Sequence, residues 1–228
     1  YKAVLLGAST LPRLLPMLTT AAGNITPAKA FVLGAGVAGL QAIATARRLG
    51  AVVSAFDVRA AAREQVQSLG AKFVANELVS ASAETAGGYA KEQAADEQQR
   101  TLQAIGAVLP GMDMVITTAA IPGRPAPRLV TAGMVATMKP GSVIVDISAE
   151  SGGNCELTKA GETVVAHGVT IIGAVNLPSA MPVHASQMFG RNVLTFLQHV
   201  MTKDGQLTLD LADEITGAMA VSHAGQRR

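Results

Sequence analysis

Ala30-Phe31-Val32-Leu33-Gly34-Ala35-Gly36-Val37-Ala38-Gly39, followed further on by Ala55-Phe56-Asp57, is the stretch on which the fold turns. The four apolar residues 30–33 read as a short buried strand, and from 37 to 49 apolar residues recur at helical spacing until Gly50 stops them. The glycines between therefore form G-x-G-x-x-G at a strand-to-helix turn. Gly34 permits the tight turn, Gly36 lets the backbone approach a diphosphate, and Gly39 lets the helix pack on the strand. The helix that follows offers free N–H groups and the positive end of its dipole to phosphates. By itself the motif is also compatible with a glycine-rich turn that holds no ligand. Asp57 closes the next apolar run, 52–56, and lies 18 residues beyond Gly39, where an acid about 20 residues on accepts hydrogen bonds from ribose hydroxyls. The same carboxylate repels a 2′-phosphate, so the pair of features predicts NAD(H) rather than NADP(H). Arg59 pulls the other way, because a neighbouring arginine can welcome that phosphate.

Working outward, 61–69 reads as a helix closed by Gly70, and 72–74 as a third short strand. Strand–helix–strand–helix–strand predicts a parallel sheet with right-handed crossovers. The pattern fails over 75–95, read as a long loop around Gly87-Gly88-Tyr89. It resumes with a helix at 96–109, a strand at 114–117, a proline-rich loop at 121–128, a short helix at 131–138 and a strand at 142–147 introduced by Lys139-Pro140-Gly141. Short strands at 164–165 and 170–172 and a long helix at 183–201 follow, with strand fragments around 208–211. Residues 1–22 have helical spacing with kinks expected at Pro12 and Pro16. The fold class is α/β: a Rossmann-type doubly wound parallel sheet over 26–178, with 1–25 as a linking helix. Residues 179–228 are a return helix and a fragment of an incomplete second subdomain. The chain opens at Tyr1, inside a helical pattern, which leads us to expect a fragment, a processed product or a trimmed chain.

Composition narrows the function classes. Hydrophobic residues make up 49% and charged residues 15% of the 228, enough to bury a sizeable core. The apolar content is mostly Ala, Val, Leu and Ile, which suits strands covered on both faces. A formal charge of +2 gives no electrostatic case for nucleic acid. No apolar run approaches the roughly 20 residues of a membrane span. The single cysteine, Cys155, excludes an internal disulfide. His167, His184, His199 and His223 lack metal-ligand spacing, so no metal site is expected. Asp146 and Glu150 flank a loop and are read as turn-capping carboxylates, with Asn154 ordering the Gly152-Gly153 turn. No catalytic acid, base or nucleophile is assigned.

Several segments together resemble the alpha subunit of bacterial NAD(P) transhydrogenase, a family related to alanine dehydrogenase. They are 32–59, Gly87-Gly88-Tyr89-Ala90-Lys91-Glu92, Thr117-Thr118-Ala119-Ala120-Ile121-Pro122-Gly123, Pro125-Ala126-Pro127, 139–146 and Gly152-Gly153-Asn154-Cys155. The resemblance implies that Val37 lies against the pyrophosphate and ribose, with Asp57, Val58 and Arg59 around the adenosine. It puts Gly88 and Tyr89 in a mobile loop over the nucleotide and Ala119 and Ala120 on the nicotinamide side. The family usually carries Leu at the place of Ala120. Asn176 either lines the same crevice or is a turn residue before Leu177-Pro178. The implied activity is hydride transfer between NADH here and NADP⁺ on a separate component, coupled to proton movement through a membrane domain. The implied state is a homodimer, peripheral on the cytoplasmic side of the bacterial inner membrane. A polar loop that orients nicotinamide in the family would precede Tyr1, so the chain alone is expected to bind NAD(H) and transfer hydride poorly. Two other readings remain open: an alanine dehydrogenase-like oxidoreductase, for which Glu150 falls near an acidic catalytic position, and an NAD-binding module without turnover.

Overall fold

The computed structural model describes residues 1–75, 78, 95–121 and 123–227. They form two compact units, Tyr1–Leu177 and Pro178–Arg228. The first opens with helix α1 (Lys2–Thr10) and a small antiparallel hairpin, β1 (Leu18–Thr20) and β2 (Gly23–Ile25). Helical spacing over 1–22 therefore overstates α1, which stops at Thr10. Pro12 cannot donate to a helix and its ring pushes the preceding residue out of the helical region; Leu11 is accordingly extended, at φ −66° and ψ 125°.

A seven-stranded sheet follows. In chain order it contains β3 (Lys29–Leu33), β4 (Val52–Phe56), β5 (Lys72–Phe73), β6 (Met114–Thr117), β7 (Val143–Asp146), β8 (Thr163–Ala166) and β9 (Val169–Gly173). In space the order is β5-β4-β3-β6-β7-β9-β8, parallel except for β8, which pairs antiparallel with β9. The connecting helices are α2 (Val37–Arg48), α3 (Ala60–Ser68), α4 (Ala95–Val108) and α5 (Ala132–Val135). The doubly wound parallel sheet is as expected, and β8 adds an antiparallel strand at its edge. Ala166 pairs with Val169, leaving His167 (φ 53°) and Gly168 (φ 76°) as a two-residue turn. Positive φ at both central residues is what a tight right-twisted hairpin demands.

The central strands β3, β6 and β7 are buried along nearly their whole length, as they must be when both faces are covered. Alternation divides them between two cores. Ala30, Val32, Met114, Ile116, Val143 and Val145 face one side with Val4 of α1 and Ile43 of α2. Phe31, Leu33, Val115 and Ile144 face the other with Ile105 of α4. Gly7 brings α1 close to the sheet, since a Cβ there would meet the Met114 side chain at 2.6 Å.

The second unit contains α6 (Pro182–Val200), α7 (Glu214–Met219) and a two-stranded hairpin, β10 (Ser222–His223) and β11 (Gln226–Arg227). Strand fragments around 208–211 do not form; a bridge between Met201 and Leu207 takes their place. The helix at 214–219 lacks a long periodic signal, and its start is set by Asp213, whose carboxylate accepts from the Ile215 and Thr216 N–H groups. Among the described residues no helix is long and apolar enough to cross a membrane.

Candidate functional site

The chain leaves β3 in one direction across the sheet to β4 and β5, and resumes on its other side at β6. Adjacent β3 and β6 are thus the topological switch point, where loops diverge and leave a crevice beyond the strands' C-terminal ends. The glycine-rich turn lies there. Gly34 (φ +93°) runs so close to the end of β6 that a Cβ would meet Thr118 Oγ1 at 2.8 Å and Ala119 N at 2.9 Å. Thr118 donates its hydroxyl to the Gly34 carbonyl at 3.0 Å. A Cβ on Gly39 would drive into that same carbonyl oxygen. Gly36 differs. It caps α2 with ordinary extended backbone, and among the described residues beyond its own neighbours the nearest atom to a Cβ there would be Arg59 Nη2, at 3.9 Å. Its openness is the space a diphosphate needs beside the α2 N–H groups. Val37, the first residue of α2, is 90% exposed, an apolar side chain left at the mouth of the crevice.

Asp57, just past β4, is nearly buried. Its Oδ2 accepts from the Ala35 N–H at 2.7 Å and from Arg59 Nη2 at 2.9 Å, while Oδ1 accepts from the Arg59 N–H and Nε, each at 2.9 Å. The acid therefore ties the glycine-rich turn to the end of β4. Four donors fill the roughly four acceptor positions of a carboxylate. Val58 packs part-buried on the second core.

Across the switch point, Asp146 closes β7 and is wholly buried. Ser148 N–H donates to its Oδ1; Asn154 N–H, Cys155 N–H and Thr158 Oγ1 donate to its Oδ2, at 2.7–3.0 Å. This loop in turn grips the end of β6, because Asn154 Nδ2 donates to the carbonyls of Ala119 (2.9 Å) and Pro127 (2.8 Å), and Ser148 Oγ to that of Ala119 (3.0 Å). Glycine at 153 is required, since a Cβ would lie 2.8 Å from Asp146 Oδ2. Glu150 Oε1 accepts the Asn176 N–H at 2.9 Å, and Asn176 has φ 50°. Both carboxylates cap turns, and Asn176 has a turn residue's geometry at the rim beyond β9. Burial pushes the Cys155 thiol pKa up, which suits a packed thiol and not a nucleophile.

Gly34, Gly36, Val37, Gly39, Asp57, Val58, Arg59, Ala119 and Ala120 thus converge on the C-terminal ends of β3, β4 and β6. Gly88 and Tyr89 lie outside the described residues. His167 is a hairpin turn residue, and His184, His199 and His223 belong to the second unit; among the described residues no group of three His, Cys, Asp or Glu could hold a metal. Sequence reasoning missed Ser148 and the reach of Asn154 to Ala119, contacts made 29 and 35 residues apart. The available signal was Asp146 at a strand end followed by Gly152-Gly153-Asn154.

Residues 3–228 match the family model of the alanine dehydrogenase/PNT C-terminal domain. The chain belongs to this family. Within the alanine dehydrogenase/PNT family it is 50% identical over 227 residues to an NAD(P) transhydrogenase subunit alpha protein of Rhodospirillum rubrum, covering 99% of this chain and 59% of the relative. The transhydrogenase structure from Sinorhizobium meliloti superposes with a TM-score of 0.84 at 47% identity, over 100% of this chain and 60% of that one. An L-alanine dehydrogenase structure follows at a TM-score of 0.67 and 27% identity, over 86% of this chain and 50% of that one. The chain therefore spans about 60% of the length of these two transhydrogenase relatives.

Proposed function

We propose that this chain is the NAD(H)-binding component of a transhydrogenase, exchanging hydride with NADP(H) held on a separate component whose membrane partner moves protons. The observation that carries this is the 50% identity with a transhydrogenase alpha subunit over nearly the whole chain, joined to a glycine-rich turn and an acid at one switch point. In this reading the diphosphate lies over Gly34, Gly36 and Gly39 at the start of α2, with Val37 against it. The adenosine ribose meets Asp57 beside Val58 and Arg59, taking over acceptor positions that the Arg59 guanidinium fills. Ala119 and Ala120 face the nicotinamide, and Asn176 completes the far rim. Bound NADH would supply the hydride. The protein's own task is to position the ring and exclude water. A homodimer, peripheral to the membrane on the cytoplasmic side, belongs to the same proposal; Val183, Met188 and Phe189 on α6 leave apolar surface exposed.

Calorimetric titration with NADH and NADPH tests the reading. NADH should bind more tightly. Asp57→Asn keeps an acceptor for the Ala35 N–H but removes the charge, and should weaken NADH binding by roughly tenfold, as for loss of a charge-assisted hydrogen bond. Wild-type chain that binds NADPH as well as NADH, or neither, overturns the assignment. Reduction of NAD⁺ driven by L-alanine would decide for the dehydrogenase instead.

A further inference from the structure

We infer that Asn154, with Ser148, is a positioning residue for the nicotinamide end of the site, acting through the peptide that joins Ala119 to Ala120. The inference rests on the nucleotide reading above and concerns which part of the ligand these residues govern.

The Ala119 carbonyl accepts two hydrogen bonds from inside the protein, one from Asn154 Nδ2 at 2.9 Å and one from Ser148 Oγ at 3.0 Å. No described peptide is cis. In a trans peptide the N–H points opposite to the preceding C=O. Fixing the Ala119 oxygen inward therefore aims the Ala120 N–H outward, at the exposed end of β6 beside the Gly34 turn. Ala120 is exposed, and its N–H makes no hydrogen bond to any described residue. A fixed, outward donor beside the switch point suits a neutral acceptor such as a carboxamide oxygen.

Asn154 is also placed at a cost. It is fully buried, and its Oδ1 has no hydrogen-bond partner among the described residues. An unpaired buried carbonyl is unfavourable, so packing alone does not account for an asparagine here. What the residue gains is two donors set on two carbonyls, those of Ala119 and Pro127, which clamp both ends of the loop following β6. Asp146 holds the clamp in turn through the Asn154 backbone N–H at 2.7 Å. This chain carries Ala at 120, a small side chain, so the peptide group becomes the main feature that this position presents.

The test compares NADH with ADP-ribose, which lacks the nicotinamide, by calorimetry on the full chain. Asn154→Ala and Ser148→Ala should each weaken NADH by about fivefold to tenfold, the scale of one misplaced hydrogen bond, while ADP-ribose stays within about twofold. Ser148→Ala removes one of the two donors without opening a large hole, so it remains readable if Asn154→Ala fails to fold. A variant that loses NADH and ADP-ribose in parallel, or that melts at lower temperature with both affinities unchanged, overturns the positioning role. Wild-type chain that binds ADP-ribose no differently from NADH overturns it as well. Wild-type chain that binds neither ligand instead overturns the nucleotide reading itself.

Discussion

Gly36 and Gly39 stand three positions apart in one motif, yet the structure makes different demands of them. A methyl group on Gly39 would collide with the Gly34 carbonyl, whereas at Gly36 it would meet, among the described residues, only the tip of Arg59, at 3.9 Å. Gly36 also has φ −72°, which alanine adopts freely. Gly39→Ala should therefore destabilise the fold by on the order of 1–3 kcal/mol through overpacking, and so lower the melting temperature. Gly36→Ala should leave melting unchanged and weaken NADH binding at least tenfold, because its Cβ would occupy the diphosphate's approach. Melting curves and titrations of the two variants check this; a Gly36→Ala chain with wild-type affinity would mean that no ligand approaches there. The motif's glycines were legible in the sequence, but this division of labour was not. Steric room depends on what β6 and Arg59 bring alongside. Asp57 shows the same limit. Its place at a strand end could be read from Val52–Phe56, while its bidentate engagement with Arg59 could not.

At the scale of elements, long buried strands and helices were the readable part. Strands β3, β4, β6 and β7 and helices α2, α3, α4 and α6 fall where their apolar periodicity puts them, within a residue or two. The β1–β2 and β10–β11 hairpins and α7 escaped, since so few residues carry no period. Helix α7 is set by its cap: Asp213 accepts from Ile215 and Thr216 N–H groups and lies 2.8 Å from His199 Nε2. The Thr216 N–H foremost, then His199, holds its carboxyl pKa at about 2, against 3.8 unperturbed. A depressed folded-state pKa means that the contribution to stability is complete above the unfolded value and is lost as pH falls through the folded one. The stability difference between wild type and Asp213→Ala should then be constant above about pH 5 and shrink toward pH 2. Thermal melts at stepped pH would reveal it; a gap indifferent to pH would show that the charge has no part in the cap.

For the whole molecule, every described residue assigned to the nucleotide lies within Tyr1–Leu177. Ligand that binds only folded protein adds stability by mass action, about 2.7 kcal/mol at a hundred times its Kd. Saturating NADH should raise the melting temperature of this unit by roughly 5–10 °C, with β3 and β6 amides gaining the most protection from hydrogen exchange. Equal protection at α6 and α7, in Pro178–Arg228, would mean that the ligand couples to residues other than those assigned.

The order of residues was enough to give a parallel-strand α/β unit with a glycine-rich turn and an acid one strand away. Those features follow from local periodicity and from backbone conformations that glycine alone takes easily. Three-dimensional packing alone could decide which carbonyls Asn154 and Ser148 hold, which donors fill Asp57, and that β8 turns back at His167-Gly168. Those outcomes join residues far apart in the chain, or depend on a backbone torsion that no periodic pattern encodes.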